Sequence, residues 1–426
     1  MVLLPQRNCA GMLQQYRLLI VAILASAPVL SVGVLQPVSV QAETKFIPSV
    51  LFTETYDTNI FFSPPQFLPP GTKVADFGST FGGRGEVLYK EREIEASLRG
   101  GGDVTVFAIN TGLNYINTYL DGKAKLDSWL QRFVKGGQLR FAETFRYTPQ
   151  SPSFLTGVNA GTVTDPFLRG IQTFRANTYA FTTEVQSVVP IYRDLAVDAR
   201  GAFSFLKIGS ILAATGTGAQ YFNTNVFSAS IGPRYNLTRI DSVILAYQPT
   251  FFSQTLTTGG PPIDTTTQTV KANYLRMGQN WTLDVGGGVT HVSLGGRAFA
   301  VGDLKITTDP DRVTAYRLDL SRRAAPSFFF VSGALISNVG QVAVSHKLSR
   351  LLTVEGNVNY GFNETFPVSS VKYTNFTAGA RVNYKVTKIL MLDLFYNYTD
   401  FKFQSPGLNY ELPRNVVGFT LSAEWK

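Results

Sequence analysis

The feature that most restricts this chain is a period of two in hydrophobicity, held over about ten residues and repeated from segment to segment. Between 352 and 363 the even positions are Leu352, Val354, Gly356, Val358, Tyr360 and Phe362, and the odd ones Thr353, Glu355, Asn357, Asn359, Gly361 and Asn363. The next segment sets Phe376, Ala378, Ala380, Val382 and Tyr384 against Asn375, Thr377, Gly379, Arg381 and Asn383. Further matches lie at 77–89, 94–108, 195–205, 227–235 and 392–398. Successive strand side chains point to opposite faces, so each segment offers one apolar and one polar face. No stretch after residue 43 holds the ~18 apolar residues of a helical span. What remains is a strand with lipid on one side and water on the other.

A soluble β-sandwich also alternates, so strand length, aromatic placement and loop asymmetry must decide. Many apolar parities end in Tyr89, Tyr235, Tyr360, Tyr384 or Tyr398, as interfacial aromatic girdles require. Connections alternate between short ones, at 90–92, 192–194 and 238–241, and long Gly/Pro/Thr-rich ones near 57–75, 150–174, 256–266 and 402–414. Charged residues make up 16% of the chain, against about 25% in an ordinary soluble protein. The predicted fold is an all-β, transmembrane, antiparallel up-and-down barrel of about 18 strands, 16 to 18 being compatible with the pattern.

The first residues read as an export signal. Arg7 and Arg17 precede an apolar run over 18–35, and Val40-Gln41-Ala42 supplies a small-residue cleavage site. The expected division is a signal peptide over 1–42 and a barrel over 43–426, with Ala25-Ser26-Ala27 as a second candidate site and the outer membrane of a Gram-negative cell as destination. The only cysteine, Cys9, lies within that leader, so the mature chain has no disulfide and no cysteine metal site. Without Arg7 and Arg17 the 38 basic residues become 36, set against 29 acidic ones. That surplus belongs in solvated loops and calls for no nucleic acid.

Three short turns repeat one pattern: Tyr235-Asn236-Leu237-Thr238-Arg239, His346-Lys347-Leu348-Ser349-Arg350 and Tyr384-Lys385-Val386-Thr387-Lys388. The last strand is amphipathic, with Val417, Phe419, Leu421, Ala423 and Trp425 on its lipid parity. Phe419, Leu421 and Trp425 form the expected C-terminal signal for the barrel-assembly machinery, although Lys426 follows the final aromatic.

The run Ser49-Val50-Leu51-Phe52-Thr53-Glu54-Thr55-Tyr56-Asp57-Thr58-Asn59-Ile60, the segment Phe145-Arg146-Tyr147-Thr148-Pro149 and the repeated turns resemble the exosortase (PEP-CTERM) system-associated outer-membrane β-barrel proteins. The resemblance implies a porin-like barrel linked to exopolysaccharide or envelope export, and it brings no catalytic residues.

An enzyme in a barrel wall needs a histidine paired with a serine. Only His291 and His346 are available, and both fall on lipid parity. His291 with Ser293 is the best pair, yet two residues of one parity stand ~7 Å apart along a strand. No enzyme activity, cofactor or metal is expected. Gly100-Gly101-Gly102 and Gly286-Gly287-Gly288 lack the strand-to-helix setting of a phosphate loop and instead relieve crowding. The polar parity carries Arg84, Glu86, Glu93, Glu95, Arg99, Asp103, Asp198, Arg200, Lys271, Asp284, Glu355, Arg381 and Asp393. Charges of both signs inside a wide barrel require a hydrated lumen. The expected function is a pore for small solutes or an exported polysaccharide, with the 150–174 loop as its constriction. The alternative is a structural or assembly protein with a plugged, non-conducting barrel. The expected partners are outer-membrane lipid and the assembly machinery.

Overall fold

A computed structural model of the chain describes residues 42–149, 166–211, 220–309, 311–367 and 369–425. The expected signal peptide lies outside them apart from Ala42. The described residues form β1 (Glu43–Asp57), β2 (Asp76–Lys90), β3 (Glu95–Phe107), β4 (Tyr115–Lys125), β5 (Gln138–Thr148), β6 (Ala176–Pro190), β7 (Leu195–Ile211), β8 (Phe222–Asn236), β9 (Asp241–Leu256), β10 (Ile263–Met277), β11 (Trp281–Val292), β12 (Arg297–Thr308), β13 (Thr314–Pro326), β14 (Ala334–Lys347), β15 (Leu352–Phe366), β16 (Lys372–Lys385), β17 (Leu390–Ser405) and β18 (Leu408–Glu424). One short helix, α1 (Asp127–Leu130), stands between β4 and β5.

Every strand pairs antiparallel with its sequence neighbours, and β1 pairs with β18 from Ser49↔Glu424 to Asp57↔Val416, which closes the ring. The barrel is the 18-stranded up-and-down form. Its two ends differ. Glu43 of β1 faces Lys90 of β2, so the connection over 91–94 and its equivalents, among them 191–194, 237–240, 348–351 and 386–389, share one end with the last residues of β18. This turn end opposes a loop end that carries 58–75, 166–175 and 327–333.

The repeated turn motif has a local cause. Thr238 Oγ1 accepts the amides of Ile240 and Asp241 at 3.2 and 3.0 Å, Ser349 Oγ those of Leu351 and Leu352 at 3.1 and 3.0 Å, and Thr387 Oγ1 those of Ile389 and Leu390 at 3.2 and 2.9 Å. The hydroxyl satisfies the donors that the reversal frees.

On the outside, Val50, Phe81, Leu98, Leu120, Ile231, Leu245, Val289 and Val358 are exposed. Tyr235, Tyr316 and Tyr384 lie toward the turn end, and Tyr56, Phe77 and Tyr179 toward the loop end. An apolar band between aromatic rims is the surface of a barrel standing in a bilayer. Phe419, Leu421 and Trp425 are exposed on that outer face, and Phe419 lies 6.0 Å from Phe52 across the closing pair.

Two loop boundaries move. The expected loop at 402–414 is a continuous hairpin of β17 and β18, paired from Leu390↔Ala423 to Ser405↔Leu408, and only Pro406 and Gly407 turn the chain. Gly407 has φ +83°, and proline before a positive-φ glycine makes the two-residue reversal. The connection expected over 256–266 shortens to 257–262 because β10 starts at Ile263. Runs such as Thr265, Thr266 and Thr267 pass for loop by composition, yet β-branched threonine suits a strand.

Candidate functional site

Register sets the inward face. The ladder carries Lys90, Glu95 and Lys125 on one side of the sheet, then Glu86, Arg99 and Asp121, then Gly82, Asp103 and Asn117. Asn117 donates to Asp103 at 2.8 Å, and Lys125 pairs with Glu95 at 3.2 Å. Farther round, Arg200 Nε donates to Asp198 at 3.1 Å, Lys271 pairs with Asp303, and Asn273 donates to Asp284 at 3.0 Å. Glu355 stands opposite Arg381, which is exposed inside the barrel, and Asp393 stands opposite Asn383. The structure thus places Arg84, Glu86, Glu95, Arg99, Asp103, Asp198, Arg200, Lys271, Asp284, Glu355, Arg381 and Asp393 on the inward face. Glu93 is different: it lies in the 91–94 turn and pairs with Arg132 beyond α1.

Of these, Asp198, Arg200, Lys271 and Asp284 come together around one cavity of about 430 Å³, joined by Asp303, Lys305, Arg317 and Asp319. The others line the wall outside it. The Gly286-Gly287-Gly288 run contributes room: a Cβ at Gly286 would stand 2.6 Å from Lys271 Cε, and one at Gly288 2.1 Å from the Val270 carbonyl. A side chain at Gly288 would run into the backbone of β10, whereas one at Gly286 would push the Lys271 side chain aside.

Toward the loop end the inward face turns apolar. Leu206, Val226, Phe252, Val292, Phe401, Phe403 and Leu412 are buried from the wall, and Phe167, Ile171, Phe174, Phe328 and Phe329 join them from two connections that fold inward. The 327–333 connection is held by Phe222 N donating to the Phe328 carbonyl at 3.0 Å and Phe330 N to that of Gln220 at 2.8 Å. Gln254 bonds Ser327 and Gly333, and the Tyr373 hydroxyl donates to the Phe329 carbonyl. Phe174 meets Phe329 edge-on at 5.7 Å and stacks on Tyr410 at 5.9 Å.

Residues 166–175 leave between β5 and β6 and dock on the facing wall. Arg169 Nε donates to Ser337 Oγ at 2.8 Å, Nη1 to Ser321 Oγ at 3.1 Å and Nη2 to the Ser337 carbonyl at 3.2 Å, while Asn363 donates to the Arg169 carbonyl at 2.9 Å. β5 and β14 are nine places apart in a ring of eighteen, so this segment crosses the lumen. Burial holds the Arg169 guanidinium well below its ordinary pKa. At the other edge, Arg175 donates to the carbonyls of Ile60 at 3.0 Å and Leu113 at 3.3 Å, and lies over Tyr115 and Phe107 at 4.5 and 4.9 Å. Loss of water lowers it to about 10. Each guanidinium joins a loop to something distant in sequence through charge-assisted hydrogen bonds.

Sequence reasoning placed the constriction in 150–174, and 166–175 lies across the lumen; 150–165 falls outside the described residues. It missed Arg169, Arg175 and the 327–333 connection. The signal was present in Phe167-Leu168-Arg169-Gly170-Ile171 and Phe328-Phe329-Phe330, since a solvated loop does not carry such apolar density.

The histidines face outward. His291 stands opposite Gln268 on the lipid face, while Ser293 Oγ accepts the Thr266 amide at 2.9 Å, and His346 Nδ1 shares a 2.8 Å hydrogen bond with Thr314. Among the described residues no three His, Cys, Asp or Glu side chains are grouped to hold a metal ion.

The model of the family described as "Putative beta-barrel porin 2" matches residues 305–423, a run from within β12 into β18. Over that stretch the chain is similar to a porin family. No curated protein matches the chain. Among solved structures it is similar to the outer membrane protein OpdK of Pseudomonas aeruginosa, at 12% identity and TM-score 0.40 over 89% of this chain and 98% of that one. OccAB3 of Acinetobacter baumannii gives 10% and 0.42 over 90% and 99%. The siderophore receptor PirA of Pseudomonas aeruginosa gives 8% and 0.42 over 89% and 80%. At such identities and TM-scores nothing about this chain's substrate follows.

Proposed function

We propose that the protein is an outer-membrane channel for small hydrophilic solutes, with a charged chamber toward the turn end and a stopper of inward loops at the loop end. The observation that carries this is Arg169 bound to the far wall above a cavity lined by Asp198, Arg200, Lys271 and Asp284. Charges of both signs on the inward face demand water or partners, and they suit polar cargo. Inward arginines at β5 support a wet interior: the Arg140 and Arg146 side chains are 51% and 57% exposed. A cleaved leader and a link to exopolysaccharide export fit this reading through residues 1–42 and the family resemblance.

A second reading is a barrel that stays closed and serves the envelope structurally. The apolar cluster around Phe329 favours it, because water does not cross so dry a constriction. Single-channel recording in planar bilayers separates the two. The channel reading expects brief openings of the wild type that become long-lived when Arg169→Ala frees the crossing segment. A folded barrel, recognised by its shifted gel mobility without boiling, that stays silent in both forms would leave the structural reading standing.

A further inference from the structure

The wall has one weak seam. Strands β12 and β13 carry 12 and 13 residues, yet they pair only from Gly302↔Arg322 to Thr307↔Arg317, six positions, the shortest ladder in the ring. Their other neighbours hold them along twelve positions to β11 and thirteen to β14. Above Gly302, on the loop-end side, 297–301 and 323–326 run without a ladder between them among the described residues. At the point of parting, Arg322 Nε donates to the Ala300 carbonyl at 3.1 Å and Nη1 to Asn338 Oδ1 at 2.8 Å. A side chain has replaced the main-chain bonds.

Arg322 is exposed and shares the outward parity of Leu318 and Leu320. An outward charge on the bilayer face is unfavourable unless it sits near an interface or meets an anion. Beside it lies an outside groove of about 590 Å³, floored by Leu304, Leu320 and Tyr360 and shaped by Gly302 and Gly340, which have no side chain to fill it. Val301, Gly302, Asp303, Ser321, Arg322 and Val339 line both this groove and the inner chamber. The chamber and the membrane are therefore neighbours at the seam, while the axial route above is filled by apolar side chains.

We propose that the β12–β13 seam is a lateral portal between the chamber and the bilayer for a single-chain anionic amphiphile, whose acyl chain lies in the groove and whose charged group meets Arg322. The guanidinium has five N–H donors in a fork that suits carboxylate and phosphate, and the two contacts named above use two of them. Inside, Lys305, Arg317 and Arg323 line the chamber and receive the same anionic group. The portal does not depend on axial conduction, and the two are tested by different measurements.

Binding is read by native mass spectrometry with dodecanoate, lysophosphatidylglycerol and the zwitterionic lysophosphatidylcholine as probes. Tighter binding of either anionic probe than of lysophosphatidylcholine is expected, and Arg322→Gln should weaken it roughly tenfold, the effect of one charge-assisted hydrogen bond. Equal binding of all three, or no effect of R322Q, overturns the assignment of Arg322. Passage is read in proteoliposomes by the transfer of fluorescent lysophosphatidylglycerol from the bilayer to albumin trapped inside. In a background with Cys9→Ser, the pair Ala300→Cys and Ala324→Cys is joined by a short bismaleimide across the seam. The same reagent across Val342→Cys and Val358→Cys, which are opposite each other in the full β14–β15 ladder, is the control. Joining is done on folded protein, so fold is held constant. Transfer that stops only when the seam is joined supports the portal, and transfer that continues at the unjoined rate overturns it.

Discussion

The two ends of this barrel solve the same problem, how to reverse an antiparallel strand, in opposite ways. At the turn end a hydroxyl at Thr238, Ser349 or Thr387 satisfies two amides and the chain goes straight back up. At the loop end the connections over 58–75, 166–175 and 327–333 turn inward and meet in apolar clusters around Ile60, Phe174 and Phe329. The first is local chemistry and contributes little beyond register. The second is tertiary packing inside a wall that already stands by its ladders. Changes at the loop end should therefore alter what the lumen does, and changes at the turn end only how firmly the strands are joined.

The sharpest test of that division is Phe329→Ala. Phe329 is fully buried and touches Phe174, Tyr221, Phe330, Tyr373 and Phe403. Truncating such a residue costs about 3–5 kcal/mol of packing. Here the loss should fall on the stopper: conductance steps lengthen and 327–333 becomes open to protease, while unboiled gel mobility stays that of a folded barrel. Loss of the folded band instead would show that the wall depends on the cluster.

Arg169→Ala comes next. Hydrogen bonds to charged groups contribute about 1.5–3 kcal/mol each, and the freed Ser337 carbonyl must find another donor. Arg169→Lys keeps the charge but not the fork that reaches Ser321 and Ser337 together, so it should open the lumen nearly as often as alanine. If lysine closes the channel like the wild type, charge alone holds the crossing segment.

Most of the wall was legible in sequence, because the period of two is forced residue by residue: Val358 must face lipid if Asn357 and Asn359 face inward, and one slip in register would reverse both. The inward charges follow from the same parity, as Arg99 and Arg381 show. The stopper was legible only as apolar density in its loops and not in its contacts, because its parts are brought together by closure of the ring. Nothing near Arg169 in sequence names Ser337, 168 positions away. The hairpin at 402–414 was misread for a related reason: Phe401, Phe403 and Tyr410 are aromatic on the inward parity, where the wet-lumen rule expects polar residues, since they line the stopper. The seam was only half visible: 297–324 is among the segments whose strand pattern is least secure, and Arg322 falls on the apolar parity, but the short ladder shows only in the pairing.

At the turn end, Thr387→Ala removes the acceptor of two amides in an exposed reversal, so a loss of about 0.5–1 kcal/mol is expected in urea unfolding, with conductance unchanged. A change in channel behaviour from this variant would mean that the ends are coupled and the division above is wrong.

The smallest effect belongs to the lumen wall outside the chamber. Arg381 is exposed inside the barrel and stands opposite Glu355 in the ladder. A charge in water acts through a screened field, so replacing it should leave stability within about 0.5 kcal/mol. Removing a positive charge from the lumen lowers the local anion concentration. In the open Phe329→Ala background, Arg381→Gln should thus raise the ratio of cation to anion permeability by roughly twofold, the size expected of one solvated charge. The readout is the reversal potential under a salt gradient. A shift toward cations places Arg381 on the conducting path. No shift, with conductance intact, means that ions pass along another side of the lumen.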